Sequence, residues 1–160
     1  MKPSGVWNGD KDFEFVIRGR SDSNYATCPV TRRSVSEYVT YLMDALVTAK
    51  SAMQKVVALS VTEAELMSVA QCVQDMLYVM RVLEPIGLTV KKPMVLEMDN
   101  KGAVDLANNR SVGVRTRHIE TRQHFLRDLK EEGILKVAWI PDLLTKNLAG
   151  PHVLTVLAEL

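Results

Sequence analysis

The chain has 160 residues, 47% of them apolar, with 20 Lys and Arg against 19 Asp and Glu for a net charge of +1. That length suits one compact domain with a real core, and the composition excludes wholesale disorder, a collagen-like repeat and a supercharged tail. A near-zero net charge announces no polyanion partner, so any nucleic-acid role has to rest on a local patch.

The opening MKPSGVWNGDKDFEF has no long apolar run and carries Asp10, Asp12 and Glu14, so it does not read as a signal peptide. Stretches such as VVALSV and ILKVAWI are too short to span a bilayer. Cys28 and Cys72 form neither a CxxC pair nor a disulfide framework. An intracellular protein, cytoplasmic or nuclear, with free thiols and no membrane span is the expectation. Phe13 to Arg20 alternates as a strand with Phe13, Phe15 and Ile17 on one face, and runs into SDSNY, a polar turn. Beyond the loop around Pro29, residues 34–42 and 45–50 are β-branched and aromatic runs. Met43-Asp44 between them is a gap of hairpin length, although neither residue is the Gly or Asn a primed turn prefers. KVVALS at 55–60 is a candidate extension of the third strand.

The strongest element follows. Leu66, Val69, Val73, Met76, Leu77, Met80 and Leu83 fall at helical spacing, and the helix stops at Pro85-Ile86-Gly87. Two overlapping capping boxes, at Ser60–Glu63 and Thr62–Glu65, compete for its start. MVLEMD (94–99) reads as a strand, KGAVDLANN as a short helix, and Thr116–Glu132 as a helix stopped by Gly133. ILKVAWI (134–140) is a fifth strand, and the remainder is compatible with a terminal helix. A meander followed by crossovers predicts an α/β (α+β) fold: a five-stranded mixed sheet, three strands antiparallel and the rest parallel, flanked by helices.

The candidate chemistry is acidic. Asp22 reads as lying just past the first strand, Asp99 at the end of the fourth, and Glu65 in the first turn of the long helix. Side by side, three carboxylates repel one another unless a cation neutralises them, and magnesium, a hard ion that favours oxygen ligands, suits the set. Two such ions are the apparatus of phosphoryl transfer. Each residue also has a structural role open to it: Glu65 as a helix cap, Asp22 in an Asx turn, Asp99 as the N-cap of the short helix.

The segments RSDSNYA (20–26), TRRSVSEYVTYL (31–42), ALVTAKSAMQKVVALSVTEAEL (45–66), LEMDNKGAVDLANN (96–109), RTRHIETRQHFLRDLKEEG (115–133) and DLLTKNL (142–148) resemble the RNase H domain of copia-type LTR retrotransposon polyproteins. The resemblance runs from about Phe13 to Gly150. It implies an RNase H-like domain over 13–150, a ragged segment over 1–12 and a divergent one over 151–160. It further implies an endonuclease that hydrolyses the RNA strand of RNA–DNA hybrids with two Mg2+ (or Mn2+) ions and leaves a 3′-hydroxyl, beside a reverse transcriptase in the parent polyprotein. Matched residue by residue, Asp22, Glu65, Asp99 and Asp142 are the implied catalytic and metal-binding carboxylates, with Glu63 the cap.

The chain departs from the family pattern in several places. Pro141 directly precedes Asp142 where the family carries several residues, Met43-Asp44 replaces a Gly-containing hairpin, and Ala49 stands in place of Trp. These departures define an alternative: a degenerate, catalytically inactive relic that at most binds nucleic acid. Over 110–130, Arg110, Arg115, Arg117, Arg122, Arg127 and Lys130 against Glu120 and Asp128 give a local net charge of +4, suited to tracking phosphates. Asn100, Arg115, Arg117, His118 and Arg122 are the candidate hybrid contacts, with a solvated helix face the alternative. His118 and His124 do not have the i, i+4 spacing of a zinc helix.

Overall fold

The computed structural model describes residues 13–108 and 117–140. A five-stranded sheet forms its centre, built from β2 (Ile17–Asn24), β3 (Val35–Leu42), β4 (Ala45–Met53), β6 (Met94–Met98) and β7 (Leu135–Trp139). The spatial order is β4-β3-β2-β6-β7: antiparallel from β2 to β4, parallel across β2–β6 and β6–β7. This is the mixed sheet expected. The helices are α1 (Val61–Leu83), α2 (Lys101–Asn108) and α3 (Arg117–Glu131). Among the described residues, no helix is long and apolar enough to cross a membrane. The expected terminal helix and the segments 1–12 and 151–160 lie outside the described residues.

Three expectations need correction. The strand expected at 13–20 is two: β1 (Glu14–Phe15) pairs in parallel with β5 (Thr89–Val90), a short strand the pattern did not signal, and β2 begins only at Ile17. The polar SDSN segment is strand rather than turn, so Asp22 lies inside β2, opposite Glu37 of β3. Pairing with β3 through Asn24 holds these turn-forming residues extended, as tertiary context overrides weak propensity. Third, β4 runs to Met53 and residues 55–60 are not strand.

The Met43-Asp44 hairpin forms despite its composition. Both residues are left-handed, with φ of 53° and 69°, the conformation a primed turn requires. Neighbouring contacts hold them there: Asp44 pairs with Arg18, and the Met43 N–H donates to the Val16 carbonyl at 2.9 Å.

Helix α1 covers one face of the sheet. Its capping box resolves onto Ser60, whose Oγ accepts from the Glu63 N–H at 3.1 Å, while the Glu63 carboxylate accepts from the Leu59 N–H at 2.7 Å. The stripe Leu66, Val69, Val73, Met76, Leu77 and Met80 is buried against Ile17, Met94, Leu96 and Met98 of the sheet. Each such burial contributes roughly 1.5–3 kcal/mol, so this layer dominates the core. A Cβ on Gly19 of β2 would lie 2.5 Å from Met76 Sδ and 2.7 Å from Cys72 Sγ. Helix and strand therefore approach as closely as a bare backbone permits. Helix α3 stops at Gly133, whose φ is 70°. The Gly133 N–H donates to Lys130 O and the Ile134 N–H to Leu129 O, a Schellman closure.

Candidate metal centre

The carboxylates converge at the end of the sheet where the parallel strands β2 and β6 finish. Asp22 is two residues from the end of β2, Asp99 directly follows β6, and Glu65 projects from the second turn of α1 rather than the first, because the helix already starts at Val61. One carboxylate oxygen from each of the three lies within 4.8 Å of the others. Asp22 and Glu65 are buried, and Asp99 is partly exposed. The chain thus brings together residues separated by 43 and 34 positions in the sequence.

Local contacts set this corner. Ser68, one turn after Glu65, is fully buried; its hydroxyl accepts from Ser21 Oγ at 2.9 Å and donates to the Asp22 carbonyl at 2.6 Å. That bond fixes α1 against β2 beside the two acids. At the other strand, the Trp139 indole N–H donates to the Asp99 carbonyl at 3.0 Å. Asn100 is the cap of α2, its Oδ1 accepting from the Ala103 N–H at 3.0 Å, so the capping role falls to Asn100 rather than Asp99. Ser21, Ser68 and Trp139 were not singled out from the sequence. A serine within an otherwise apolar helical stripe, three residues beyond a buried acid, was the available signal.

The electrostatics are those of a site built for positive charge. Burial, then the charge of Asp99, raises the Asp22 pKa to about 6, and burial, then the charge of Asp22, raises Glu65 to about 8. Contacts with Ser23 pull both back without cancelling the rise. Asp22 Oδ2 and Glu65 Oε2 are buried and accept no hydrogen bond. Such orphaned acceptors are costly in a folded interior. Hard anionic oxygens, converging and otherwise unsatisfied, fit a divalent cation of the magnesium class.

The other expected site residues are distributed differently. Asp142 and Arg115 lie outside the described residues, and Arg117 and His118 head α3 with side chains outside that set. Arg122 is half-buried on the same helix. His124 faces Glu120 across one helical turn at 3.8 Å.

No protein-family model matches the chain. It is 32% identical over 137 residues to the retrovirus-related Pol polyprotein from transposon TNT 1-94 of Nicotiana tabacum, covering 82% of this chain and 10% of that protein. The Pol polyprotein from transposon RE1 of Arabidopsis thaliana is 33% identical over 139 residues, covering 83% of this chain and again 10% of the relative. The chain therefore spans about a tenth of the length of the curated relatives it matches. Among solved structures, LC11-RNase H1 in complex with an RNA/DNA hybrid superposes with a TM-score of 0.58 at 14% identity, over 78% of this chain and 85% of that one. The protease-reverse transcriptase of prototype foamy virus gives a TM-score of 0.53 at 12% identity, over 99% of this chain and 21% of that one.

The sheet order, its helices and these likenesses define an RNase H-like fold. Its sequence relatives are retrovirus-related Pol polyproteins from transposons and its structural neighbours are RNase H domains, consistent with an RNase H domain of a retrotransposon polyprotein.

Proposed function

We propose that this domain is a metal-dependent endonuclease of the copia type that hydrolyses the RNA strand of RNA–DNA hybrids. The observation that carries the reading is the convergence of Asp22, Glu65 and Asp99, with two buried oxygens left without donors. In this reading those three carboxylates hold two Mg2+ (or Mn2+) ions, with Asp142 as the fourth acid. Such an ion pair, when bound, supplies the charge that readies a water and stabilises the leaving oxygen. The chain's own residues hold the geometry: Ser68 keeps Asp22 and Glu65 in register, and Trp139 fixes the backbone of Asp99. In the reaction the water oxygen bonds to phosphorus, the bond to the 3′ oxygen breaks, and that oxygen leaves as a 3′-hydroxyl.

The RNA–DNA hybrid is the proposed partner, as in the LC11-RNase H1 complex. Arg115, Arg117, His118, Arg122 and Asn100 are its proposed contacts, and a reverse transcriptase in the parent polyprotein is the proposed neighbour, since the relatives are Pol polyproteins. The second reading, an inactive relic that at most binds nucleic acid, is favoured by the direct abutment of Pro141 on Asp142. A labelled hybrid incubated with Mg2+ separates the two. Cleavage that vanishes in EDTA and in Asp99→Asn supports the nuclease; salt-sensitive binding without cleavage supports the relic.

A further inference from the structure

Strands β2 and β6 deliver Asp22 and Asp99 to the same end of the sheet, yet their ladder stops just short of the acids. Its last register pair is Ser21 with Met98, so Asp22 and Asp99 stand where the next pair would fall. On the other side of β2, Asp22 is opposite Glu37 of β3. The row across the sheet therefore reads Glu37, Asp22, Asp99. Like charges directly opposite each other destabilise a strand pair, so this row pushes β2 and β6 apart where the site needs them close. Magnesium takes its oxygens at about 2.0–2.1 Å in near-octahedral order, so two oxygens sharing one ion stand only about 3–4 Å apart.

Two residues back, the charges are opposite. Arg20 of β2 and Glu97 of β6 are register partners, and the Arg20 Nε–H donates to Glu97 Oε2. Gly19 and Ser21 meet α1 at Met76 and Ser68, so alternation turns Arg20 away from the helix, on the side of the strand that it shares with Asp22. Glu97 in turn precedes Asp99 by two residues. The Glu97 side chain is only 12% exposed, so its charge is compensated by arginine more than by water. Arg18 Nη1 lies 4.0 Å from Glu97 Oε1, and Arg18 also pairs with Asp44. The guanidinium groups of Arg18 and Arg20 stand 6.0 and 5.8 Å from the centre of the Tyr41 ring, which braces both from β3.

Among the described residues, Arg20–Glu97 and Arg18–Glu97 are the ion pairs that cross between β2 and β6. The anchors at the corner itself run in other directions. Ser68 ties the Asp22 backbone to α1, and Trp139 ties the Asp99 backbone to β7. Neither joins the two strands that carry the acids.

We propose that Arg20 and Glu97 are positioning residues of the carboxylate corner: their cross-strand pair holds β2 and β6 together against the repulsion of Asp22 and Asp99, and so sets the spacing at which the corner takes a divalent cation. This inference deepens the nuclease reading and rests on its carboxylate site. The two charges cancel, so the pair changes the geometry of the corner without changing its net charge.

The test is calorimetric titration of Mn2+ into the full chain without nucleic acid, beside the melting temperature in EDTA. R20Q/E97Q removes one cation and one anion, which leaves the net charge at +1. Its Mn2+ binding is expected to weaken roughly 10–100-fold, the usual effect of losing a partner that orients a metal ligand. A fold tolerates the removal of both partners of an ion pair together, so the melting temperature in EDTA stays near the parent value. R20K, which keeps the cross-strand charge pair, recovers most of the affinity. Should the double variant melt early, R20Q alone takes its place. It leaves Glu97 negative beside the acids, so charge alone would tighten Mn2+ binding, and weaker binding marks lost positioning. Binding that is unchanged or tighter in these glutamine variants, or that R20K does not recover, overturns the positioning role and leaves the nuclease reading intact. A parent that binds no Mn2+ overturns both. A parent whose binding weakens in R20Q/E97Q but that never cleaves a hybrid in Mg2+ keeps the positioning role and removes the nuclease.

Discussion

The middle of the sheet and its outer edge obey different constraints. Strand β2 has hydrogen-bonded partners on both sides and α1 packed over it at the contact distance Gly19 allows. Strand β4 is paired on one side only, and most of its residues are exposed, Val47 at 48% and Met53 at 52% among them. The three carboxylates belong to the constrained region, and Arg32, Arg33 and Lys55 to the loops at the freer one. Acids that must be held a few ångströms apart are positioned by packing from several directions.

Substitution at the two places gives the largest contrast. Val at position 19 introduces a branched side chain where even a Cβ lies 2.5 Å from Met76 Sδ and 2.7 Å from Cys72 Sγ. Helix α1 must shift off the sheet, and Gly19→Val is expected to cost about 3 kcal/mol or more, against about 0.5 kcal/mol for Val47→Ala on the open edge. Urea denaturation of the two variants beside the parent measures both. Equal midpoints for the two would show that the close approach of α1 to β2 is not what constrains the centre.

A smaller effect comes from the carboxylates themselves. Their pKa values rise on folding, from ordinary carboxylate values to about 6 for Asp22 and about 8 for Glu65. A raised pKa means that the folded chain holds its protons longer than the unfolded one. The associated stability is full below about pH 4 and is lost as pH climbs through 6 and then 8. Without divalent ions, thermal stability should therefore decline from pH 5 to pH 8 through these groups, and Glu65→Gln should flatten the upper part of that decline. At pH 8 the variant is expected to exceed the metal-free parent by a few kcal/mol, each pKa unit being worth about 1.4 kcal/mol. Mg2+ should raise the melting temperature of the parent more than that of Glu65→Gln. A parent curve flat from pH 5 to 8 in EDTA would mean that the acids are solvated rather than confined.

The long helix and the alternation of elements were legible in the sequence because periodicity and punctuation agree there. Leu66, Val69, Val73, Met76, Leu77 and Met80 were all placed by spacing and are all buried. The SDSN segment was misread because its residues favour turns locally, while ladder partners supplied from elsewhere in the chain keep it extended. The short β1–β5 pair gave no signal, since two residues show no period. At the site, the identities of the acids were readable from their motifs. The contacts that hold them, Ser68 on the Asp22 carbonyl and Trp139 on the Asp99 carbonyl, were not. They join main-chain atoms to side chains distant in sequence, and a linear pattern does not encode such pairs.

The two cysteines probe the same contrast without perturbing either region. Cys72 lies on α1 over Gly19, fully buried, and burial pushes its thiol up to about 12. Cys28 is in the cationic loop, where Thr31 holds the thiol below its ordinary value through its side chain first and then its N–H, which lies 3.4 Å from the sulfur. The thiolate is the reactive form. At neutral pH a disulfide reagent should therefore label one thiol rapidly and the second only as fast as α1 opens from the sheet, a difference of at least about a hundredfold. Cys28→Ser should remove the fast phase and leave the melting temperature unchanged, because position 28 carries no core packing. A fast phase that persists in Cys28→Ser would assign it to Cys72. The helix would then leave β2 at little cost, and the carboxylates it positions would be no better fixed than the loops at the edge.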